Sequence, residues 1–461
     1  MVRDGRFRVL GILVLVLALA ALAFGVQQTH RAEHAREHAQ ERASDQWEGQ
    51  GEKNPHVAAH YGTHVFAPTS AATAIDPGVS AFMGRTVKLE AHKRNLASHS
   101  AAQDSGGMQR MGAFSVASVL LQLVPLLIIA LGYGLWSRER ERGTLRQVMS
   151  SGVNQKTLLL GKGGALALLV GALLAPAALV VAGVLWGLGG GDAGTASRLG
   201  MLALAYGFYF VIYGGLTLYA SATVRASRGA LVSLVGVWAL FSLVTPRVAT
   251  EVAAIVAPLP SEAEWARGVK ESLETGIDGS TTRDVAVEAI ASDMMAAQGL
   301  ADTGLMVDQN FLAGFELRAE AQWEDSIYDH HMGVLEERVA EQEAWVNRLG
   351  LLSPYVAMRS LSAGLCGTDF AHHRHFTTHA EDWRKAMVDQ LNTEFVNKAG
   401  SEGWEYRAGP ELWKKVPPFE YEFPAPALAL ETHWVSILSL LLWCSLSFLL
   451  ALRSARRLEV V

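Results

Sequence analysis

The stretch SRERERGTLRQVMSSGVNQKTLLLGK, residues 137–162, separates two long apolar runs of the chain. It is too short to be a domain. Its basic side chains, which outnumber the acidic Glu139 and Glu141, are Arg138, Arg140, Arg142, Arg146, Lys156 and Lys162. Because basic residues beside apolar runs favour the cytoplasmic side of a membrane, we interpret this stretch as a cytoplasmic docking elbow between two spans.

The composition is that of a membrane protein. Of the 461 residues, 50% are hydrophobic and only 18% are charged, and the mean hydropathy is +0.19. The net charge is −6, and the basic residues lie in short runs beside apolar segments rather than on one soluble face. This distribution argues against nucleic-acid binding. Two cysteines, Cys366 and Cys444, lie in different environments and indicate neither a disulfide framework nor a metal site.

Six apolar runs are long enough to cross a membrane. They cover residues 9–26, 113–136, 163–187, 201–223, 230–248 and 433–452. The first run follows Arg3, Arg6 and Arg8, as in a signal peptide, but no small-residue cleavage site follows it, so we expect an uncleaved anchor.

The positive-inside rule gives a consistent topology. The basic start, the elbow, the loop with Arg225 and Arg228, and the tail at 453–461 all fall on one side. We therefore expect both termini in the cytoplasm of a bacterial inner membrane, and two periplasmic regions at 27–112 and 249–432. The second region shows helical patterns, including the capping-box spacing of Ser261 and Glu264 and long helices over 325–349 and 381–399. The predicted fold is an all-α membrane protein with six transmembrane helices and a large, mostly helical periplasmic domain.

The chain shows no energy source of its own. Gly161-Lys162 lacks the earlier glycine and the following Ser or Thr of a phosphate-binding loop. The predicted spans also lack the Asp, Glu, Lys and Arg that ion-driven transporters place at membrane depth. We therefore expect the energy to come from another protein.

Two histidine patterns are candidate metal sites. His34, Glu37 and His38 match the H-x-x-E-H pattern of inverted zinc peptidases, but no third ligand stands nearby, and a solvated juxtamembrane helix is the favoured explanation. His372 and His375 belong to a second cluster, for which the alternative is a polar helix start. Both remain weak candidates, and a metallopeptidase is the least favoured function.

The elbow resembles the coupling-helix region of ABC-2 type transporter permeases. The likeness rests on ERERGTL at 139–145, on MSSGV at 149–153 and on Gly161-Lys162 at the next span. The regions HYGTHVFAPTSAATAIDPGVSAFMGRTVKLEAHKRN and GTDFAHHRHFTTHAEDWRKAMVDQLN resemble a subgroup with two large periplasmic insertions. Asn154-Gln155 stands where relatives often have a Ser-Arg or proline-containing turn.

The resemblance implies a non-catalytic permease subunit. Its ATPase-contacting coupling-helix residues are then Glu139, Glu141, Gly143, Thr144, Leu145 and Met149. It implies no cofactor in this chain, ATP and magnesium in partner ATPase subunits, and a second permease, identical or homologous. An alternative is a membrane-anchored mechanotransmission or assembly complex, in which the ATPase drives the periplasmic domain against a partner protein without transport.

Overall fold

The computed structural model describes residues 5–100, 114–189, 191–299 and 309–458. Among these residues, six helices are long and apolar enough to cross a membrane, and each overlaps one predicted run. They are α1 (Gly5–Glu48), α3 (residues 116–132), α6 (Gln155–Leu188), α7 (Ala193–Thr223), α8 (Ser227–Val256) and α16 (Trp434–Arg456). The predicted first residue of the second span, 113, lies outside the described residues.

Two of these helices contain a single π-helical turn close to a proline. In α3 the π-helical turn is Val119–Leu123, just before Pro125, and in α8 it is Leu240–Val244, just before Pro246. The helix of the fifth run continues beyond its predicted last residue, 248, to Val256, because the wider turn accommodates Pro246.

Ten further α-helices, from four to 42 residues long, lie among the described residues. They are α2 (Pro55–Tyr61), α4 (Ser137–Glu141), α5 (Thr144–Ser150), α9 (Glu262–Thr275), α10 (Arg283–Ala297), α11 (Gln309–Gly350), α12 (Pro354–Cys366), α13 (Phe370–Lys398), α14 (Pro410–Trp413) and α15 (Ala427–Thr432). Ser261 and Glu264 form the predicted capping box at the start of α9. The mostly helical fold is confirmed, although α11 and α13 are longer than their predicted helices.

A small antiparallel sheet in the first polar region was not predicted. Its strands are β1 (Thr63–Phe66), β2 (Thr86–Glu90) and β3 (Lys93–Arg94), in the order β1-β2-β3. Thr63 pairs with Leu89, and Leu89 pairs with Arg94. The predicted fold did not include this sheet, because strands this short carry too little alternation to stand out beside turn residues.

The sheet and the helices between α8 and α16 form one extramembrane domain. Val65 and Leu89 of the sheet share a buried cluster with Phe376 of α13. The polar half of α1 extends into the same domain, where the Nε1 atom of Trp47 donates to the carbonyl of Trp413 at 3.1 Å. The first and second polar regions therefore pack together as one body.

Candidate functional site

The elbow consists of α4 and α5. They meet at Gly143, whose φ of +73° is in the left-handed region that favours glycine. A second turn, with Gly152 at φ +82°, leads from α5 into α6, where the Asn154 side chain accepts from the backbone N–H of Lys156 at 2.9 Å.

Two neighbouring side chains of α4 hold the turn between α7 and α8. Arg140 donates to the carbonyl oxygens of Ala222 at 2.6 Å and Val224 at 3.2 Å, at the end of α7. Glu141 accepts from the backbone N–H of Ser227 at 2.7 Å and from its hydroxyl at 2.8 Å, at the first residue of α8. The elbow is thus bonded to two spans that are remote from it in sequence.

An ion pair joins α4 to α6. The Nζ atom of Lys162 lies 2.5 Å from a carboxylate oxygen of Glu139, and it lies 4.4 Å from the centre of the Trp136 ring. Trp136 is fully buried, and its backbone N–H donates to the Ser221 hydroxyl of α7 at 2.9 Å. Displacing α4 therefore requires α6, α7 and α8 to move or these bonds to break.

The six residues predicted to contact an ATPase occupy different surroundings. Gly143 and Thr144 are exposed, whereas Leu145 is only 2% exposed and packs against Leu159 and Leu218. Met149 is half-buried against the same cluster, and Glu139 and Glu141 make the internal bonds described above. Three basic side chains of the elbow are exposed: Arg142, Arg146 and Lys156.

At the other end of α7, the helix α12 connects the spans with the extramembrane domain. Nearly all of α12 is buried, and it packs against α7 and α16. Arg198 of α7 is 5% exposed and donates to the carbonyls of Leu365 at 3.0 Å and Pro424 at 2.5 Å. The sequence prediction began this span at residue 201 and so missed a buried arginine at the helix start.

A chain of hydrogen bonds crosses the same junction. The Ser362 hydroxyl of α12 donates to Asp76 at 2.6 Å, and it lies 3.1 Å from the Tyr206 hydroxyl of α7. Burial raises the pKa of Asp76, although the bonds from Ser362 and from the backbone N–H of Gly78 oppose this. The predicted Asp76-Pro77-Gly78 turn is therefore part of the contact between domain and spans.

Side chains from elsewhere satisfy carbonyl groups of the two π-helical turns. The Tyr209 hydroxyl donates to Leu121 at 2.8 Å, and the Nε1 atom of Trp238 donates to Gln122 at 3.2 Å. Ser353, which caps α12, donates to Phe241 at 2.9 Å. Tyr206 and Tyr209 of α7 are thus both buried and used in internal hydrogen bonds.

The predicted histidine candidates do not assemble three metal ligands. The rings of His34 and His38 lie 4.6 Å apart. His372 bonds Asp369 at 2.5 Å, and His375 bonds the Tyr421 hydroxyl at 2.9 Å. Among the described residues, two other groups bring three ligand atoms within 4.8 Å of one another. One group is His56, His60 and His92, and the other is His92, Glu320 and Glu324.

Six apolar helices with a helical elbow and an extramembrane domain define a multi-pass membrane protein. A family model described as ABC-2 family transporter protein matches residues 1–459, so the chain belongs to that family. Membership makes it a membrane component of a transport system and implies an ABC ATPase as its partner. No curated protein and no solved structure matches the chain.

Proposed function

We propose that the chain is the permease subunit of an ATP-driven ABC transporter and moves a substrate across the inner membrane. Family membership supports the permease role. ATP and magnesium act in separate cytoplasmic ATPase subunits, and this chain holds no cofactor. A second permease, identical or homologous, completes the pathway within the lipid bilayer.

The observation that carries the mechanism is that α7 contacts both the elbow and α12. Ser221 accepts from the backbone N–H of Ser137, the first residue of the elbow, at 3.4 Å, and Arg198 donates to the carbonyl of Leu365 near the end of α12. The helical rise from Arg198 to Ser221 is about 35 Å, close to the thickness of a bilayer core. A push on the elbow therefore reaches the extramembrane domain through one rigid element.

In this mechanism the elbow residues have two roles. Thr144 and the exposed basic side chains Arg142, Arg146 and Lys156 contact the ATPase, and Gly143 permits the turn that presents them. Glu139, Arg140 and Glu141 transmit its movement to the spans. Leu145 and Met149 hold α5 against the bundle.

The second candidate function is mechanotransmission to a periplasmic partner protein without transport. It is favoured by a cavity of about 630 Å³ between the spans, whose lining of mostly apolar residues from α1, α3, α6, α7 and α16 offers few groups to a polar substrate. The hydroxyls of Tyr206, Tyr209 and Ser221 of α7 are used in internal bonds.

Reconstituted vesicles separate the two functions. The chain and its ATPase are incorporated together, and ATP hydrolysis and solute movement are measured on the same sample. Movement that depends on ATP supports the transporter. Hydrolysis that is stimulated by the chain, with no movement but with binding of a periplasmic protein, overturns transport in favour of mechanotransmission.

A further inference from the structure

Three imidazole nitrogens meet on the surface of the extramembrane domain. The Nε2 atom of His56 lies 3.2 Å from Nε2 of His60 and 3.3 Å from Nε2 of His92. His56 and His60 lie one turn apart on α2, and His92 occupies the turn between β2 and β3. We call these residues the histidine trio.

Hydrogen bonds on the far side of two rings fix which nitrogen carries the proton. The Nδ1 atom of His56 lies 3.1 Å from the amide oxygen of Asn392, which can only accept. The Nδ1 atom of His92 lies 2.6 Å from a carboxylate oxygen of Glu324. Both Nδ1 atoms therefore donate, and the lone pairs of the neutral rings on Nε2 face each other across 3.3 Å.

In the neutral rings that arrangement is unfavourable, and either a proton on one Nε2 atom or a metal ion among the lone pairs relieves it. A tetrahedral zinc ion with bonds of about 2.0–2.1 Å to nitrogen places its ligand atoms about 3.3 Å apart. The distances of 3.2 and 3.3 Å agree with this value. Metal-bound histidines commonly donate their other N–H to a carboxylate or carbonyl oxygen, as His92 and His56 do here.

The hairpin turn positions the ring of His92. Its φ of +62° is in the left-handed region, where histidine, like asparagine and aspartate, occurs more often than most residues with side chains.

We propose that the histidine trio binds one divalent transition-metal ion of the zinc type. His56 is buried and His60 is exposed, so an ion enters from the His60 side and a water molecule or a second ligand completes the tetrahedron. Glu324 of α11 and Asn392 of α13 orient the rings. All three histidines belong to the first polar region, whereas Glu324 and Asn392 belong to the second. By fixing the rings that bond these two residues, the ion strengthens the contact between the regions.

The test uses the full-length protein, purified with a tag free of histidine and stripped of metal by a chelator. Zn²⁺ is titrated by calorimetry, and Co²⁺ is titrated by visible absorption, which reports tetrahedral coordination. We expect one tight site per chain. His60→Ala and His92→Asn should each weaken it at least about 100-fold, and Glu324→Gln should weaken it about 10–100-fold.

The controls separate this site from other histidines and from misfolding. His60 is exposed, so His60→Ala should unfold at the wild-type temperature without metal. His92→Asn tolerates the positive φ but loses the bond to Glu324, so it should still unfold in one transition, at a somewhat lower temperature. The double variant His34→Ala/His38→Ala should keep wild-type affinity. Absence of a tight site in the wild type, affinity unchanged in His60→Ala and His92→Asn, or an octahedral Co²⁺ spectrum would overturn the proposal.

Discussion

The bond between Tyr209 and Leu121 makes a quantitative prediction about the second span. In a regular helix the carbonyl of Leu121 accepts from the N–H of residue 125, but residue 125 is a proline and has none. The buried Tyr209 hydroxyl donates to it instead, at 2.8 Å. Tyr209→Phe keeps the ring in place and removes only the hydroxyl.

The expected loss is about 1 kcal/mol. An unsatisfied buried carbonyl costs about 1–3 kcal/mol in soluble proteins, but hydrogen bonds between membrane helices average about 0.6 kcal/mol and reach about 1.7. Pro125→Ala supplies the missing N–H. It should therefore recover most of the loss in the Tyr209→Phe background, which gives a coupling free energy of about 1 kcal/mol.

The assay is unfolding of the four proteins of this double-mutant cycle by denaturing detergent in mixed micelles. Tyr213→Phe, one helical turn further along α7, is the matched control and should show no coupling with Pro125→Ala. Free energies of unfolding that add within about 0.3 kcal/mol for Tyr209→Phe and Pro125→Ala would refute the reasoning.

Three further predictions concern buried charged or titratable groups. Arg198→Met should lower the unfolding free energy by about 2–4 kcal/mol, because two buried carbonyls lose their donor; a wild-type unfolding midpoint would contradict this. Arg384→Leu should cost about 3–5 kcal/mol by leaving Glu381, which is 5% exposed, without its partner, and adding Glu381→Leu should restore much of it; a double variant no better than the single would contradict this. Burial lowers the pKa of His373 to about 4 in the folded protein. As the pH falls from 6.5 to 4, the unfolded chain therefore binds a proton at His373 that the folded protein does not, and the free energy of unfolding decreases. Thermal unfolding against pH should show a smaller fall, by at most about 3 kcal/mol, in His373→Gln than in the exposed control His330→Gln, and equal slopes would contradict this.

Apolar length and basic loops were sufficient to predict the spanning helices and the elbow. Each signal is local, since about 20 apolar residues or a few arginines suffice to show it. Glycine at positions 143 and 152 also indicates turns, and both residues have positive φ angles. The exact helix ends were less accessible, because Pro125 and Pro246 are accommodated by π-helical turns whose carbonyls depend on distant side chains.

The contacts that join the elbow to the spans, and the spans to the extramembrane domain, could not be predicted because they are between residues far apart in sequence. Glu141 and Ser227 are 86 positions apart, and Arg198 and Leu365 are 167 apart. The histidine spacing of α2, one turn between His56 and His60, was visible in the sequence and was overlooked. His92 was not accessible in this way, because only the hairpin brings it to α2.

The central claim is that the elbow receives work from an ATPase and passes it to the spans. Its most direct test compares two variants in the complex with the ATPase, by co-purification and by the rate of ATP hydrolysis. Arg146→Glu, on the exposed side of the elbow, should lose the ATPase. Glu141→Ala, which removes the acceptor of the Ser227 N–H and hydroxyl, should keep the ATPase but lose the dependence of its hydrolysis rate on the permease. Normal co-purification with Arg146→Glu, together with a wild-type ATP hydrolysis rate of the ATPase in complex with Glu141→Ala, would contradict the account.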